Sequence, residues 1–184
     1  VPGFEMKIGS LFSGIGGIEL GLESFGLGQV IWQAESDPYA RGVLARHWPG
    51  VRIYNDVKDI DESTTRPDIV CGGFPCTDIS NAGKREGIDG EHSGLWREFA
   101  RIIRVLRPRY VFIENVAALL ARGIDRVLGD LAACGYDATW DVFRASDVGA
   151  PHRRERLFIL AHAAIVGHER PGIARRWRDG SANG

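Results

Sequence analysis

The chain has 184 residues, 44% hydrophobic and 26% charged, with a formal net charge of −1. That is the length of one domain and the composition of an ordinary globular protein, which excludes the disordered and collagenous classes. No apolar run approaches the roughly 20 residues that span a bilayer, and VPGFEMKIG lacks the basic-then-apolar order of a secretory signal, so neither membrane nor export is expected.

Strands and helices alternate along the chain. A strand over Lys7–Phe12 runs into a glycine-rich turn, and Ile18–Phe25 reads as a helix, with Ile18, Leu22 and Phe25 at helical spacing. Val30–Glu35 is a second strand. Pro38–Trp48 is a helix opened by Asp37 as N-cap and Pro38 at its first position. Val51–Tyr54 and Asp68–Cys71 are the third and fourth strands, and a loop from Gly72 to His92 with five glycines follows. Loops of this length without structure of their own are usually functional or disordered. A helix capped by Ser93 reaches Leu106, with Leu95, Phe99, Ile102, Ile103 and Leu106 on its apolar side. Tyr110–Glu114 is a strongly apolar strand, Leu119–Cys134 a helix ended by Gly135, and Tyr136–Arg144 and Leu157–Ala161 are the last strands. The expected fold class is α/β, with a mainly parallel sheet and helices on both faces. Residues 1–162 form the domain, and 163–184 are read as a basic Gly/Arg-rich tail or linker. Residues 144–184 carry 8 arginines against 4 acids, whereas 1–143 carry 15 basic and 20 acidic groups, an asymmetry that fits an anionic partner or a solvated tail.

Four segments carry chemistry. In FSGIGG, Gly14, Gly16 and Gly17 allow close backbone approach at a helix N-terminus. The dinucleotide fingerprint G-x-G-x-x-G fails there, because Glu19 stands at the third glycine position and would face a pyrophosphate. Glu35, 21 residues beyond Gly14, is placed to accept from ribose hydroxyls, and Asp56 lies at the same sheet edge. A nucleoside cofactor without a diphosphate is therefore expected. In GGFPCTDIS, Cys76 sits on a Gly/Pro-shaped turn and suits a nucleophilic thiolate, whereas Cys71 and Cys134 read as structural. With three cysteines and no CxxC pair, neither a disulfide framework nor a metal site is expected, and a reducing, cytoplasmic setting is the default. In ENV, Glu114 leaves a buried strand, where partial desolvation favours acid/base use. In HRRER, extended backbone would point Arg154 and Arg156 toward one anionic or carbonyl target.

FSGIGG, the acid ending strand two, Asp56, GGFPC, GLW (Gly94–Trp96), ENV and HRRER occur in this order over roughly residues 7–161, and the set resembles the DNA cytosine-5 methyltransferases. The resemblance implies a Rossmann-like S-adenosylmethionine-dependent methyltransferase fold. It also implies transfer of a methyl group from S-adenosylmethionine to C5 of a flipped-out cytosine in DNA, of the restriction-modification type. Phe12 then stacks on adenine, the turn with Gly14, Gly16 and Gly17 holds the methionine moiety, Ser13 counts with the cofactor-binding set, Glu35 takes the ribose hydroxyls and Asp56 the adenine amino group. Val57 and Leu95 add apolar walls, and Pro75, counted with the cofactor-binding set, also shapes the turn that aims the sulfur. Cys76 is the nucleophile, Glu114 acts at N3 of the base, Arg154 at O2, Arg156 holds the site together and Asn115 supports the loop. Ser80, Lys84 and Arg85 are available to backbone phosphates. His152 stands where the family often has glutamine. Nothing after Ala163 resembles the family's target-recognition lobe, so a catalytic lobe is expected that takes DNA recognition and the rest of its cofactor pocket from a second chain or a missing lobe. The readings left open are a catalytically silent S-adenosylmethionine-binding or protein-interaction domain, and an RNA cytosine-5 methyltransferase.

Overall fold

A computed structural model describes residues 6–75 and 94–164. Its seven strands are β1 (Met6–Leu11), β2 (Gly28–Ala34), β3 (Arg52–Tyr54), β4 (Ile69–Gly72), β5 (Tyr110–Val116), β6 (Tyr136–Arg144) and β7 (Glu155–Ala163). They form one sheet in the order β3-β2-β1-β4-β5-β7-β6. The first five strands are mutually parallel, and β7 runs antiparallel to both β5 and β6. The helices are α1 (Gly17–Ser24), α2 (Pro38–His47), α3 (Gly94–Leu106), α4 (Leu119–Arg122) and α5 (Ile124–Ala133), with short 3-10 turns at Val57–Asp59 and Ala145–Val148. The architecture is the expected α/β one.

Two apolar clusters explain why the sheet is covered on both sides. Ile8, Val30, Ile69 and Cys71 pack with Leu44 and Trp48 of the α2 segment on one face. On the other, Leu11, Val70, Val111 and Ile113 pack with Phe99 and Ile103 of α3 and Val127 and Leu131 of α5. Strands sandwiched this way lose the polar/apolar alternation, so β4 is buried at all four positions. α2 starts where the sequence places it: Asp37 Oδ1 accepts from the Ala40 N–H at 2.7 Å, with Pro38 in the first turn. Trp96 Nε1 donates to Asp130 Oδ2 at 2.8 Å and locks α3 to α5.

Several boundaries differ from the sequence reading for identifiable reasons. Phe12 is not part of β1; it adopts φ 54° and opens the turn. The helix expected over Leu119–Cys134 breaks at Gly123, whose φ of 154° fits neither α4 nor α5. β5 continues two residues past Glu114, and β7 begins at Glu155, because antiparallel pairing carries on to Val116↔Arg156. β7 also includes Ala163, and the Ala164 N–H donates to the Gly135 carbonyl, so the expected tail boundary at 163 falls inside the sheet. The expected cap at Ser93 and the remainder of the proposed tail lie outside the described residues.

Two buried acids set the alkaline limit of this core. Burial pushes the thiol of Cys71 up, with the Glu19 charge adding to it. Burial likewise raises the Tyr136 phenol to about 12, its hydroxyl donating to the Pro108 carbonyl at 2.6 Å. Both groups are held neutral in the folded state and ionise first in the unfolded chain, so their contribution is complete below their ordinary values of 9.0 and 10.0 and is lost as pH rises through them. Urea unfolding followed from pH ~7 to ~10.5 is expected to show falling stability above pH ~9, and Cys71→Ala should shed part of that slope. A flat profile would contradict the assignment.

Candidate functional site at the carboxyl edge of the sheet

Because β1, β2, β4 and β5 are parallel, their carboxyl ends share one edge, the place where open α/β sheets bind ligands. Residues 12–17 form a tight turn there. The Ser13 N–H donates to the Ala34 carbonyl at 3.1 Å and the Gly16 N–H to the Ser13 carbonyl at 2.9 Å. Beneath it, Ser13 Oγ donates to Ser10 Oγ at 2.9 Å. Glu35 ties the turn to β2: its Oε2 accepts from the Gly14 N–H at 2.7 Å and its Oε1 from the Asp37 N–H at 2.8 Å. Each carboxylate oxygen has a second lone pair, so Glu35 can also receive a vicinal diol without releasing the turn.

The three glycines of the turn have different jobs. Gly14 has φ 55° and nothing within 4 Å of where a Cβ would stand, so its backbone faces open space. Gly16 has φ 88° and its Cβ would come within 2.4 Å of the Trp48 ring, so here the missing side chain serves helix packing rather than a ligand. At Gly17, which begins α1, a Cβ would again meet nothing.

Glu19 corrects one step of the sequence reading. It is 1% exposed, and Gln33 Nε2 donates to its Oε1 at 3.4 Å. It therefore points into the protein beneath α1 and faces no ligand, which removes the repulsion invoked against a dinucleotide. A different feature opposes one. The Gly14 N–H, a donor of the kind that cradles phosphate, is already given to the carboxylate of Glu35.

Asp56 caps the 3-10 turn, its Oδ1 accepting from the Lys58 N–H at 2.9 Å. Val57 beside it is buried, Leu95 lies half-buried in the first turn of α3, and Phe12 packs against Phe99 at 6.3 Å between ring centroids.

The second half of the site joins β4, β5 and β7. Glu114 Oε1 lies 2.7 Å from Arg156 Nε, both side chains about one-quarter exposed. The pair is diagonal across the antiparallel ladder, in which Glu114 faces Phe158 and Val116 faces Arg156. The Glu114 carboxylate is thus met by an arginine and not by apolar walls alone. Its Oε2 would stand 2.7 Å from a Cβ on Gly73, so a side chain there would displace the carboxylate from this position. Asn115, 3% exposed, donates from Nδ2 to the Phe74 carbonyl at 3.1 Å and fixes that segment to β5. Phe74 is anchored against Trp96, and exposed Pro75 follows. Cys76 lies outside the described residues, as do Ser80, Lys84 and Arg85.

Arg154 departs from expectation. It precedes β7, is exposed and has φ 34°, so the alternation of an extended strand does not govern it. Cys71 and Cys134 are both buried, as structural thiols should be. A residue not singled out from the sequence, Arg101 of α3, bonds the carbonyls of Val57 and Ile60. No local pattern could reveal it, because its acceptors are backbone atoms 44 and 41 positions away.

The family described as C-5 cytosine-specific DNA methylase matches residues 6–170. The chain is 41% identical over 164 residues to the Type II methyltransferase M2.BsuMI of Bacillus subtilis (strain 168), covering 85% of this chain and 42% of that protein. It is 32% identical over 161 residues to M.NgoFVII of Neisseria gonorrhoeae, covering 84% and 43%. The chain thus spans less than half the length of either relative. Among solved structures, a DNA modification methyltransferase encoded within an E. coli prophage superposes with a TM-score of 0.71 at 26% identity, over 86% of this chain and 47% of that one. The Entamoeba histolytica methyltransferase EhMeth superposes at 0.76 with 18% identity, over 91% and 56%, a likeness of fold.

The division of labour among the glycines is measurable as stability. Gly14→Ala is expected to cost about 1–2 kcal/mol, the strain of a left-handed backbone alone. Gly16→Ala adds overpacking against Trp48 and should cost about 2–5 kcal/mol in total. Equal losses in urea unfolding would contradict the packing role of Gly16.

Proposed function

The chain belongs to the C-5 cytosine-specific DNA methylase family, and we propose that it is the catalytic lobe of an enzyme that methylates C5 of a cytosine flipped out of DNA, with Cys76 as covalent nucleophile. The observation that carries this reading is the Glu114–Arg156 pair set against the Gly73–Pro75 segment that leads directly to Cys76.

The turn suits S-adenosylmethionine, the cofactor of this family. Gly14 offers open space beside its backbone, Glu35 presents carboxylate oxygens at the end of β2, and Phe12 and Val57 supply apolar surface. Ser13, Gly16 and Gly17 complete the turn, Asp56 accepts from the adenine amino group, and Leu95 and Pro75 border the site. When bound, S-adenosylmethionine supplies the methyl group as an electrophile.

The protein's part is to make C5 of cytosine nucleophilic. The Cys76 thiolate adds to C6, a C–S bond forms, and the C5=C6 electron pair becomes available at C5. Glu114 hydrogen-bonds or protonates N3 and Arg154 assists at O2, so charge developing on the ring is met as it appears. Arg156 holds the Glu114 carboxylate in place, and Asn115 holds the turn that carries the sulfur. After methyl transfer the C5 proton leaves to a base and the C–S bond breaks, restoring the double bond and the thiolate. C5 is inaccessible in a stacked duplex, so the cytosine must be extruded at a cost of a few kcal/mol.

DNA recognition is proposed to come from outside these residues, from a second chain or a further lobe. Residues 1–162, with the remainder of β7, form the catalytic lobe and the basic segment after them is a linker or tail; the setting is cytoplasmic. Among the described residues no helix is long and apolar enough to cross a membrane.

The test is a trapping reaction of the intact protein with S-adenosylmethionine and random-sequence duplex DNA carrying 5-fluorocytosine, whose fluorine cannot leave as a proton. A denaturation-resistant adduct mapping to Cys76 is expected. Cys76→Ser should form none while still binding cofactor, and Glu114→Gln should slow adduct formation by about 10²-fold or more. No adduct from the unaltered protein, with or without candidate partner chains, would favour a silent cofactor-binding domain. An adduct on RNA alone would favour an RNA cytosine-5 methyltransferase.

A further inference from the structure

We propose that Arg101 is a positioning residue that fixes the adenosine end of the cofactor site to helix α3; this rests on the cofactor reading above. Arg101 spends its guanidinium on three acceptors. Nη1 donates to the Ile60 carbonyl at 2.8 Å, Nη2 to the Val57 carbonyl at 3.2 Å, and Nε to Glu98 Oε2 at 2.7 Å. The two carbonyls belong to the first residue of the Val57–Asp59 turn and to the residue that closes it. Asp56, which caps this turn from extended backbone, is assigned to the adenine amino group, and buried Val57 beside it to an apolar wall of the site.

The turn also has bonds of its own that do not involve Arg101. The Ile60 N–H donates to the Val57 carbonyl at 3.3 Å, the Asp59 N–H to the Asp56 carbonyl at 3.1 Å, and Ile60 is fully buried. What Arg101 adds is orientation relative to α3. The same helix carries Leu95 near its start and Phe99, on which Phe12 rests. Phe12, assigned to the adenine face, and the segment carrying Asp56, assigned to its amino group, are therefore both braced by one helix. A planar fork can bridge two carbonyls and a carboxylate at once. A lysine keeps the charge but concentrates it at a single point and cannot span them.

The test compares S-adenosylhomocysteine with S-inosylhomocysteine, which lacks the adenine amino group, on the intact protein and on Arg101→Lys by titration calorimetry. The unaltered protein should prefer the adenosyl ligand about tenfold, the equivalent of one charge-assisted hydrogen bond to Asp56. Arg101→Lys should lose about that tenfold on the adenosyl ligand, keep its affinity for the inosyl one, and so lose the preference. Equal weakening of both ligands, the mark of general loosening, would overturn the proposal, as would unchanged binding of both. An unaltered protein that binds neither ligand, or binds both alike, would instead overturn the cofactor reading at Asp56, and the role of Arg101 with it.

Discussion

The site depends on one cross-strand ion pair. Glu114 and Arg156 meet at 2.7 Å because β7 runs antiparallel to β5 and its diagonal register brings an arginine over the carboxylate. A fully parallel sheet would start every strand from the opposite edge and would not return a later segment to the carboxyl end of β5 in this way. The inverted strand therefore supplies a charge that the five parallel strands cannot. Partial exposure of both side chains limits what the pair adds to stability. Its importance is geometric, since it fixes which way the carboxylate faces beside Gly73, where a Cβ would crowd it.

A second constraint organises the half of the site proposed to hold the cofactor. The glycine turn is tied to β2 through Glu35, to the core through Ser13 and Ser10, and to α3 through Phe12 and Phe99. Helix α3 also anchors Phe74 through Trp96, and Phe74 lies in the segment leading to Cys76. One helix thus references both halves of the proposed site, the turn assigned to the cofactor and the segment that leads to Cys76. Such shared support matters for a reaction in which two reacting groups must approach within van der Waals contact, because small misplacements at the support reach both at once.

Much of this was legible in the sequence. Apolar runs broken by capped amphipathic helices give the order of elements, and Asp37 with Pro38 marks the start of α2 in both readings. The motif residues at the ends of β1, β2, β4 and β5 fall on one edge because parallel connectivity leaves no other arrangement. What escaped was tertiary. Gly16 looks like a ligand-approach glycine until Trp48 is seen against it, and Glu19 looks like an acid facing a bound pyrophosphate until Gln33 and the sheet enclose it. Arg154 reads as extended backbone from the HRRER pattern, yet its φ of 34° takes it out of that alternation. Arg101 carries no signal at all, since backbone carbonyls leave no mark in side-chain sequence.

The most direct measurement is a crystal structure of the intact protein trapped on 5-fluorocytosine DNA. Cys76 Sγ is expected to be bonded to C6 of an extruded cytosine, with the Glu114 carboxyl in hydrogen-bonding contact with N3 and Arg156 still paired to it. A base lodged elsewhere, or a Glu114 turned away from the ring with its arginine, would contradict this expectation.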